Sequence, residues 1–510
     1  MSPTSLLRLL IVVAIPAFSQ NVARNGALLK EKYRPQFHLS PMEKWTNDPN
    51  GLVYFEGEYH LFYQHFPDSS VWGPMHWGHA VSTDLIHWKH LPIALYPDSL
   101  GYIFSGSVVV DWKNTSGFGT GPTPPLVAVF TYHDPVKDKR GEQCQSQAVA
   151  YSNDKGRTWT KYKNNPVLHS PGMWAFRDPK VRWHEESSRW IMTIACGDHV
   201  RFYSSSNLLI WNFESDFGKD AGYHGSTWEC PDLVPLKVEN SGESKWLLIV
   251  SIYPGGVSGA SGTQYFTGDF DGKTFTPDSK QSNWLDYGAD NYAGITWSDL
   301  PDRNRQVFLG WMSNWQYADK VPTTVWRNAM TLPRELKFKR SASSLKLYAS
   351  PVHEVIKLRG ESKDVRTSIV SSRGAKAAEQ FELDLMVDIP EGKKFSLVLS
   401  NVNKDSVKLT IDSSMIFDRS RSGIKNFEKD FGARHQAPRP IGNNIHLNIF
   451  VDASSVEVFA NEGEVVMTEL VFPNAPFDVI SVTRDAVVEV KRAMYYKIDS
   501  IWKKNKPSQR

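Results

Sequence analysis

Helical periodicity is scarce in this 510-residue chain. Residues 21–32 allow one short helix ahead of the fold. After that, apolar residues come in short runs cut by Gly, Pro, Asn and Asp, which points to an all-β protein. Cysteine is almost absent: Cys144, Cys196 and Cys230 are the only three. An odd number leaves at least one thiol without a partner in the chain and excludes a disulfide scaffold. Charge of either sign is not in excess. The 58 Lys and Arg against 55 Asp and Glu leave a formal +3, too little and too dispersed for a nucleic-acid or anionic-membrane surface. No apolar run is long enough to span a bilayer. The glycine-rich stretch Gly255 to Gly262 lacks the Lys-Ser/Thr of a phosphate loop, and neither Gly-x-Ser-x-Gly nor His-Glu-x-x-His occurs. His76 and His79 flank Trp77 without a third ligand, which reads as structural histidine and not as a metal site. No cofactor or metal is implied.

What is present begins with a leader. Arg8 is the only positive side chain ahead of an apolar run from Leu9 to Ala17, and Ala17-Phe18-Ser19 offers small residues at cleavage spacing. Residues 1–20 therefore read as a secretion signal, cut near Ser19 or Gln20, and the mature protein as extracellular. Asn114-Thr115-Ser116 is a glycosylation sequon. The chain is long enough for two domains. Its 18 Trp, 19 Tyr and 26 Phe suit sheet surfaces and sugar faces.

A loose repeat runs through the first 330 residues. Ser82-Thr83-Asp84-Leu85-Ile86-His87-Trp88 resembles Ser152-Asn153-Asp154-Lys155-Gly156-Arg157-Thr158-Trp159, then Ser206-Asn207-Leu208-Leu209-Ile210-Trp211, and more weakly Asp269 to Phe275. Each reads as a polar turn returning an aromatic to a sheet. Marked motifs recur at Asp48, Ser105, Asp178, Glu229 and Asp290, with spacings of 50 to 75 residues. One four-stranded blade fits each interval, so residues 21–340 are expected to form a five-bladed propeller. Lys337 to Val352 is charged and serine-rich and reads as the domain junction. Beyond it, Ile445, Leu447, Ile449 and Val451 alternate with His446, Asn448, Phe450 and Asp452, so residues 352–500 are expected to form a β-sandwich. Glu457, inside a strong strand pattern there, reads as structural.

Three carboxylates stand in marked settings. Asp48 lies in Trp45-Thr46-Asn47-Asp48-Pro49-Asn50-Gly51, Asp178 in Phe176-Arg177-Asp178-Pro179, and Glu229 in Trp228-Glu229-Cys230-Pro231-Asp232. Each alone describes an ordinary turn or charge pair. A propeller would bring all three to one axial mouth, and carboxylates in an aromatic funnel fit glycosidic bond cleavage, which needs one ionised and one protonated carboxyl group. Asp48, among amides, is the expected ionised member. Glu229, beside Trp228 and Cys230, is the expected acid. Arg177 is expected to hold Asp178 charged, and Cys230 to stay free and tune the polarity around Glu229.

With Phe104-Ser105-Gly106 added, these motifs resemble glycoside hydrolase family 32, the family of invertases, inulinases, levanases and fructosyltransferases. The resemblance covers nearly the whole mature chain, including Asp452 to Phe459. It implies a propeller followed by a sandwich. It also implies a retaining mechanism with Asp48 as nucleophile, Glu229 as acid/base and Asp178 as transition-state stabiliser. Trp45, Asn47, Gln64, Trp72, Phe104, Ser105, Arg177 and Trp315 match pocket positions, and Asp290 is placed at an outer subsite. The expected activity is that of a secreted β-fructofuranosidase acting on sucrose, with fructo-oligosaccharides as further substrates, as a monomer or homodimer. An inulin- or levan-directed fructanase and a fructosyltransferase are the alternatives, and an inactive fructan-binding protein a remote one.

Overall fold

The computed structural model describes residues 29–341 and 344–502. The leader and most of the segment 21–32 lie outside them. Five antiparallel sheets form the blades of a propeller. Their innermost strands are Lys44–Phe55, Tyr102–Val110, Arg177–His184, Thr227–Lys237 and Tyr292–Thr296. Each packs against the next, and the fifth returns to the first. The ring is closed by Trp326–Arg327, which pairs in parallel with Lys44–Phe55.

The loose sequence repeat is one physical device used four times. It is the turn between the third and fourth strand of blades 1 to 4. In blade 1 the Asp84 carboxylate accepts from the backbone N–H groups of Ile86 and His87. Asp154 accepts from Arg157 and Thr158, Asn207 from Leu209 and Ile210, and Asp271 from Lys273 and Thr274. The following residue takes a positive φ each time: Leu85 at 65°, Lys155 at 58°, Leu208 at 66° and Gly272 at 90°. A short side-chain acceptor that satisfies two turn donors is what Asp and Asn supply.

Lys337 to Val352, read from composition as a junction, is instead almost wholly the outer hairpin of blade 5. Arg334–Ser341 pairs with Gln306–Met312 on one side and Ser344–Pro351 on the other. Composition misled because an outer blade strand needs only one apolar face. Leu336, Phe338, Leu347 and Ala349 are buried, and the lysines alternate with them.

The sandwich has two six-stranded antiparallel sheets, with its own core between them. Ile445, Leu447, Ile449 and Val451 face that core as the alternation requires. Phe450, on the opposite face, is buried as well, because that face packs on the propeller and joins its core with Phe459 and Val466. Polar groups pair across this seam. Arg334, fully buried, donates to Asp286 at 2.8 Å, Glu457 at 2.7 Å and Thr468 at 2.6 Å. Glu457 also accepts from the Leu332 N–H and meets His38. It is thus a seam residue.

His38 contacts Asp452 and Glu457, both at 2.8 Å. Burial alone would push the ring down, but the two carboxylates outweigh it and hold it up, from 6.5 to about 9. A raised folded value contributes stability that is complete below pH 6.5 and lost as pH rises through 9. Thermal unfolding is therefore expected to shift downward between pH 6.5 and 9, and less steeply in His38→Gln. Equal slopes in the two proteins would refute the linkage.

Candidate active site

Each innermost strand carries a β-bulge near its start. In blade 1, Thr46 pairs with His65 and Pro49 with Tyr63, so Asn47 and Asp48 together oppose Gln64. In the same way Phe104–Ser105 oppose Thr131, Asp178–Pro179 oppose Ile194, Cys230–Pro231 oppose Val250, and Ala293–Gly294 oppose Gly310. A bulge adds one residue, bends the strand and re-aims its side chains. One in each blade, they turn residues of all five blades toward one mouth of the axis. Three need left-handed backbone in residues with a Cβ: Asp178 at φ 63°, Cys230 at 45° and Ala293 at 53°. Such conformations cost about 1–3 kcal/mol each and persist only where surrounding contacts enforce them.

Those contacts run from blade to blade. The Ser105 hydroxyl donates to Asp48 Oδ2 at 2.6 Å, and Asn47 Nδ2 donates to Oδ1 at 2.9 Å. Trp45 Nε1 holds Asn47 Oδ1 at 2.7 Å. The Cys230 N–H donates to Asp178 Oδ2 at 3.0 Å, while its thiol donates to Asp48 Oδ2 at 3.5 Å. One residue thus touches both aspartates. The residues just before the bulges in blades 3, 4 and 5 form a chain. Arg177 Nη2 donates to Glu229 Oε1 at 2.8 Å, and the Tyr292 hydroxyl donates to Oε2 at 2.5 Å.

This geometry changes the electrostatic reading. The Arg177 guanidinium lies 3.9 Å from Asp178 but bonds Glu229. Burial therefore prevails at Asp178, only 6 % exposed, and with Glu229 and Asp48 nearby its carboxyl rises to about 7 despite Arg177. Arg177 still favours the charged form of Asp178 but does not cancel the effect of burial. Asp48 is also pushed up by burial, against the pull of Ser105 and Asn47. Glu229 does not sit in an apolar niche: both oxygens are engaged by Arg177 and Tyr292. All three cysteines are unbridged, and the Cys230 thiol addresses Asp48, not Glu229.

Most pocket residues named from sequence converge here. Trp315 stacks on Trp45 with ring centres 6.2 Å apart. Phe104 stacks on His133 at 4.4 Å and meets the half-exposed Trp72 edge-on at 6.1 Å. Gln64, buried, faces the first bulge. Asp290 does not belong to this group. It is fully buried at the sandwich seam, where its carboxylate accepts from Tyr317, Arg419 and the Leu470 N–H. The fifth-blade motif is offset by a few residues: the bulge follows Tyr292, not Asp290. Asn114 is exposed on the loop after the second innermost strand.

Tyr292 escaped the sequence reading, although it stands 63 residues after Glu229, one blade on. Trp174 escaped too. It lies three residues before Arg177, on the mouth side, against Gly197, and 68 % of it is exposed. Its signal was an aromatic two residues after the Ser170-Pro171-Gly172 turn. Among the described residues, His133, Asp138 and Cys144 form the one group of potential metal ligands. Cys144 and Asp138 contact His133 at 3.7 and 3.6 Å, and the Cys144 thiol donates to Asp138 Oδ1 at 3.7 Å.

Residues 38–351 match the model of the glycosyl hydrolases family 32 N-terminal domain, and residues 354–497 that of the family 32 C-terminal domain. The chain is 44% identical over 503 residues to a levanase of Bacillus subtilis (strain 168), covering 95% of this chain and 73% of that protein. It is 37% identical over 517 residues to an extracellular exo-inulinase of Aspergillus awamori, covering 92% and 96%. The fold superposes on the crystal structure of exo-inulinase from that fungus with a TM-score of 0.87, covering 93% of this chain and 100% of that one at 37% identity. It superposes on β-fructofuranosidase from Schwanniomyces occidentalis complexed with fructosyl-erythritol with a TM-score of 0.83, covering 92% and 99% at 33% identity.

Proposed function

This chain belongs to glycosyl hydrolase family 32, and from that premise we propose that it is an extracellular fructan hydrolase that releases terminal β-D-fructofuranosyl units from levan or inulin. The full-length likeness to a levanase and an exo-inulinase supports polymer over sucrose as the main substrate. The expectation of a sucrose-specific invertase gives way to this reading, with sucrose as a short substrate.

The chemistry proposed is a retaining double displacement. Asp48, aimed by Ser105 and Asn47 on its two oxygens, attacks the anomeric carbon. Glu229 donates a proton to the departing oxygen and then takes one from the water that releases fructose. Asp178 grips fructose hydroxyls and stabilises the charge that develops on the ring. Arg177 and Tyr292 hold Glu229 in place between these two steps. Trp45, Asn47, Gln64, Trp72, Phe104, Ser105 and Trp315 wall the pocket. The exposed Trp174 offers a face for sugar units beyond the first.

The test is a chromatographic time course on levan, inulin and sucrose. Free fructose from a polymer is the expected product. Intact polymers beside rapidly split sucrose would return the reading to invertase. Glucose in excess of fructose, with trisaccharides, would mean transfer. Binding without product would mean a fructan-binding protein. In Trp174→Ala, KM for the preferred polymer is expected to rise about 2–12-fold, equivalent to about 0.5–1.5 kcal/mol of stacking, with sucrose turnover unchanged. An equal effect on both substrates would remove Trp174 from polymer recognition.

A further inference from the structure

The innermost strands all run the same way along the propeller axis. The bulges and carboxylates sit at their starting ends. Their finishing ends enclose a cavity of about 770 Å³, walled by Tyr54–Phe55, Val109–Val110, Arg182–His184, Pro235 and Trp297–Ser298, one contribution from each blade in turn. Between the two ends the axis is occupied. Lys180 Nζ donates to the Thr296 carbonyl at 2.5 Å and lies 3.6 Å from Asp232, all three buried. The cavity is thus separate from the candidate active site.

We propose that this opposite mouth is a second carbohydrate-binding site. Its size is that of pockets that enclose small ligands. Trp112, Trp183 and Trp246 are among its lining residues, Trp183 with Lys113 over its ring at 4.6 Å. Trp112 is 63 % exposed, yet its Nε1 is fixed by Asp299 at 2.9 Å, so the ring is presented in one orientation. Arg182 and Ser298 line the cavity and hold polar atoms buried just behind its wall. Among the described residues, Arg182 Nε and Nη2 and the Ser298 hydroxyl are enclosed without a hydrogen-bond partner. Among the described residues Arg182 forms no ion pair, and Asp232 and Asp299 act on it as nearby negative charges. A balanced site with aromatic faces, donors and a carboxylate acceptor suits a neutral polyol better than an anion or a cation. The choice of a fructose-containing sugar rests on the fructan reading above; the site itself does not.

The experiment titrates Asp48→Asn protein, in which turnover is blocked, with an inulin-type pentasaccharide and separately with free fructose, by calorimetry. Two binding events per chain are expected. Adding Trp112→Ala or Arg182→Gln should remove one, weakening it at least tenfold, while Trp112→Ala alone leaves sucrose hydrolysis by otherwise wild-type protein unchanged. Saturation by fructose as well as pentasaccharide would define a single-unit site, and saturation by the pentasaccharide alone a chain-binding one. A single event insensitive to both substitutions would overturn the second site and leave the fructan reading intact. No binding of either sugar, with wild-type protein inert toward levan and inulin, would overturn both.

Discussion

Asp48→Ala and Glu229→Ala are each expected to abolish fructoside hydrolysis in a protein that remains folded. Loss of acid–base help alone is typically worth about 10²–10⁴-fold, and loss of the nucleophile removes the covalent route altogether. Both side chains are partly open to the mouth, so truncation creates no buried cavity. Truncating Glu229 frees Arg177 and Tyr292, and truncating Asp48 frees Ser105 and Asn47. Tyr292, Asn47 and Ser105 are buried, so each truncation carries a stability cost of about 1–3 kcal/mol for the donor left unmet, which is measured apart from the kinetic loss. Rate measurements on the preferred fructan, with circular dichroism and thermal unfolding on the same samples, separate the two effects. Near-wild-type turnover in either variant would sink the assignment.

Asp290→Ala is expected to do the reverse: stability falls by about 3–5 kcal/mol while KM for the surviving folded enzyme stays unchanged. The carboxylate is fully buried and accepts from Tyr317 at 2.6 Å, Arg419 at 2.7 Å and the Leu470 N–H at 2.8 Å. Arg419 is itself 1 % exposed. Removal of the Asp290 carboxylate leaves Glu469, at 3.1 Å, as the one carboxylate paired with Arg419 and takes the acceptor from the Tyr317 hydroxyl and the Leu470 N–H; unmet buried groups at about 1–3 kcal/mol each are the source of that magnitude. Because Tyr317 belongs to the propeller and Arg419 and Leu470 to the sandwich, the loss should weaken the seam. Denaturant unfolding measures the first expectation and steady-state kinetics the second. A raised KM with unchanged stability would restore Asp290 to the sugar site.

The all-β class was legible because strand periodicity and turn residues are local properties. The four polar turns show this well. Asp84, Asp154, Asn207 and Asp271 each bind backbone within three or four residues, so their chemistry is written in adjacent letters. The three carboxylates were legible because each sits in a motif dense with Trp, Asn, Pro and Gly. Glu457 was read as structural for the same local reason, its place inside a strand.

The partners of those groups were not legible. Arg177 adjoins Asp178 in the chain and lies 3.9 Å from it, but donates its hydrogen bonds to Glu229 in the next blade. Tyr292 meets Glu229 only where blades 4 and 5 touch. Asp290 fits the repeat spacing as well as any motif, yet a shift of a few residues takes it from the axial mouth to the sandwich seam. Lys337 to Val352 has the composition of a linker and the structure of a hairpin. By itself the sequence determined the strands, the turns and the reactive side chains, since these follow from short-range sterics and hydrogen bonding. Only the tertiary structure decided which carboxylate each cation serves, how far burial raises Asp178, and what lies at the far end of the axis. Those outcomes depend on distances between residues that lie a whole blade or more apart in the chain.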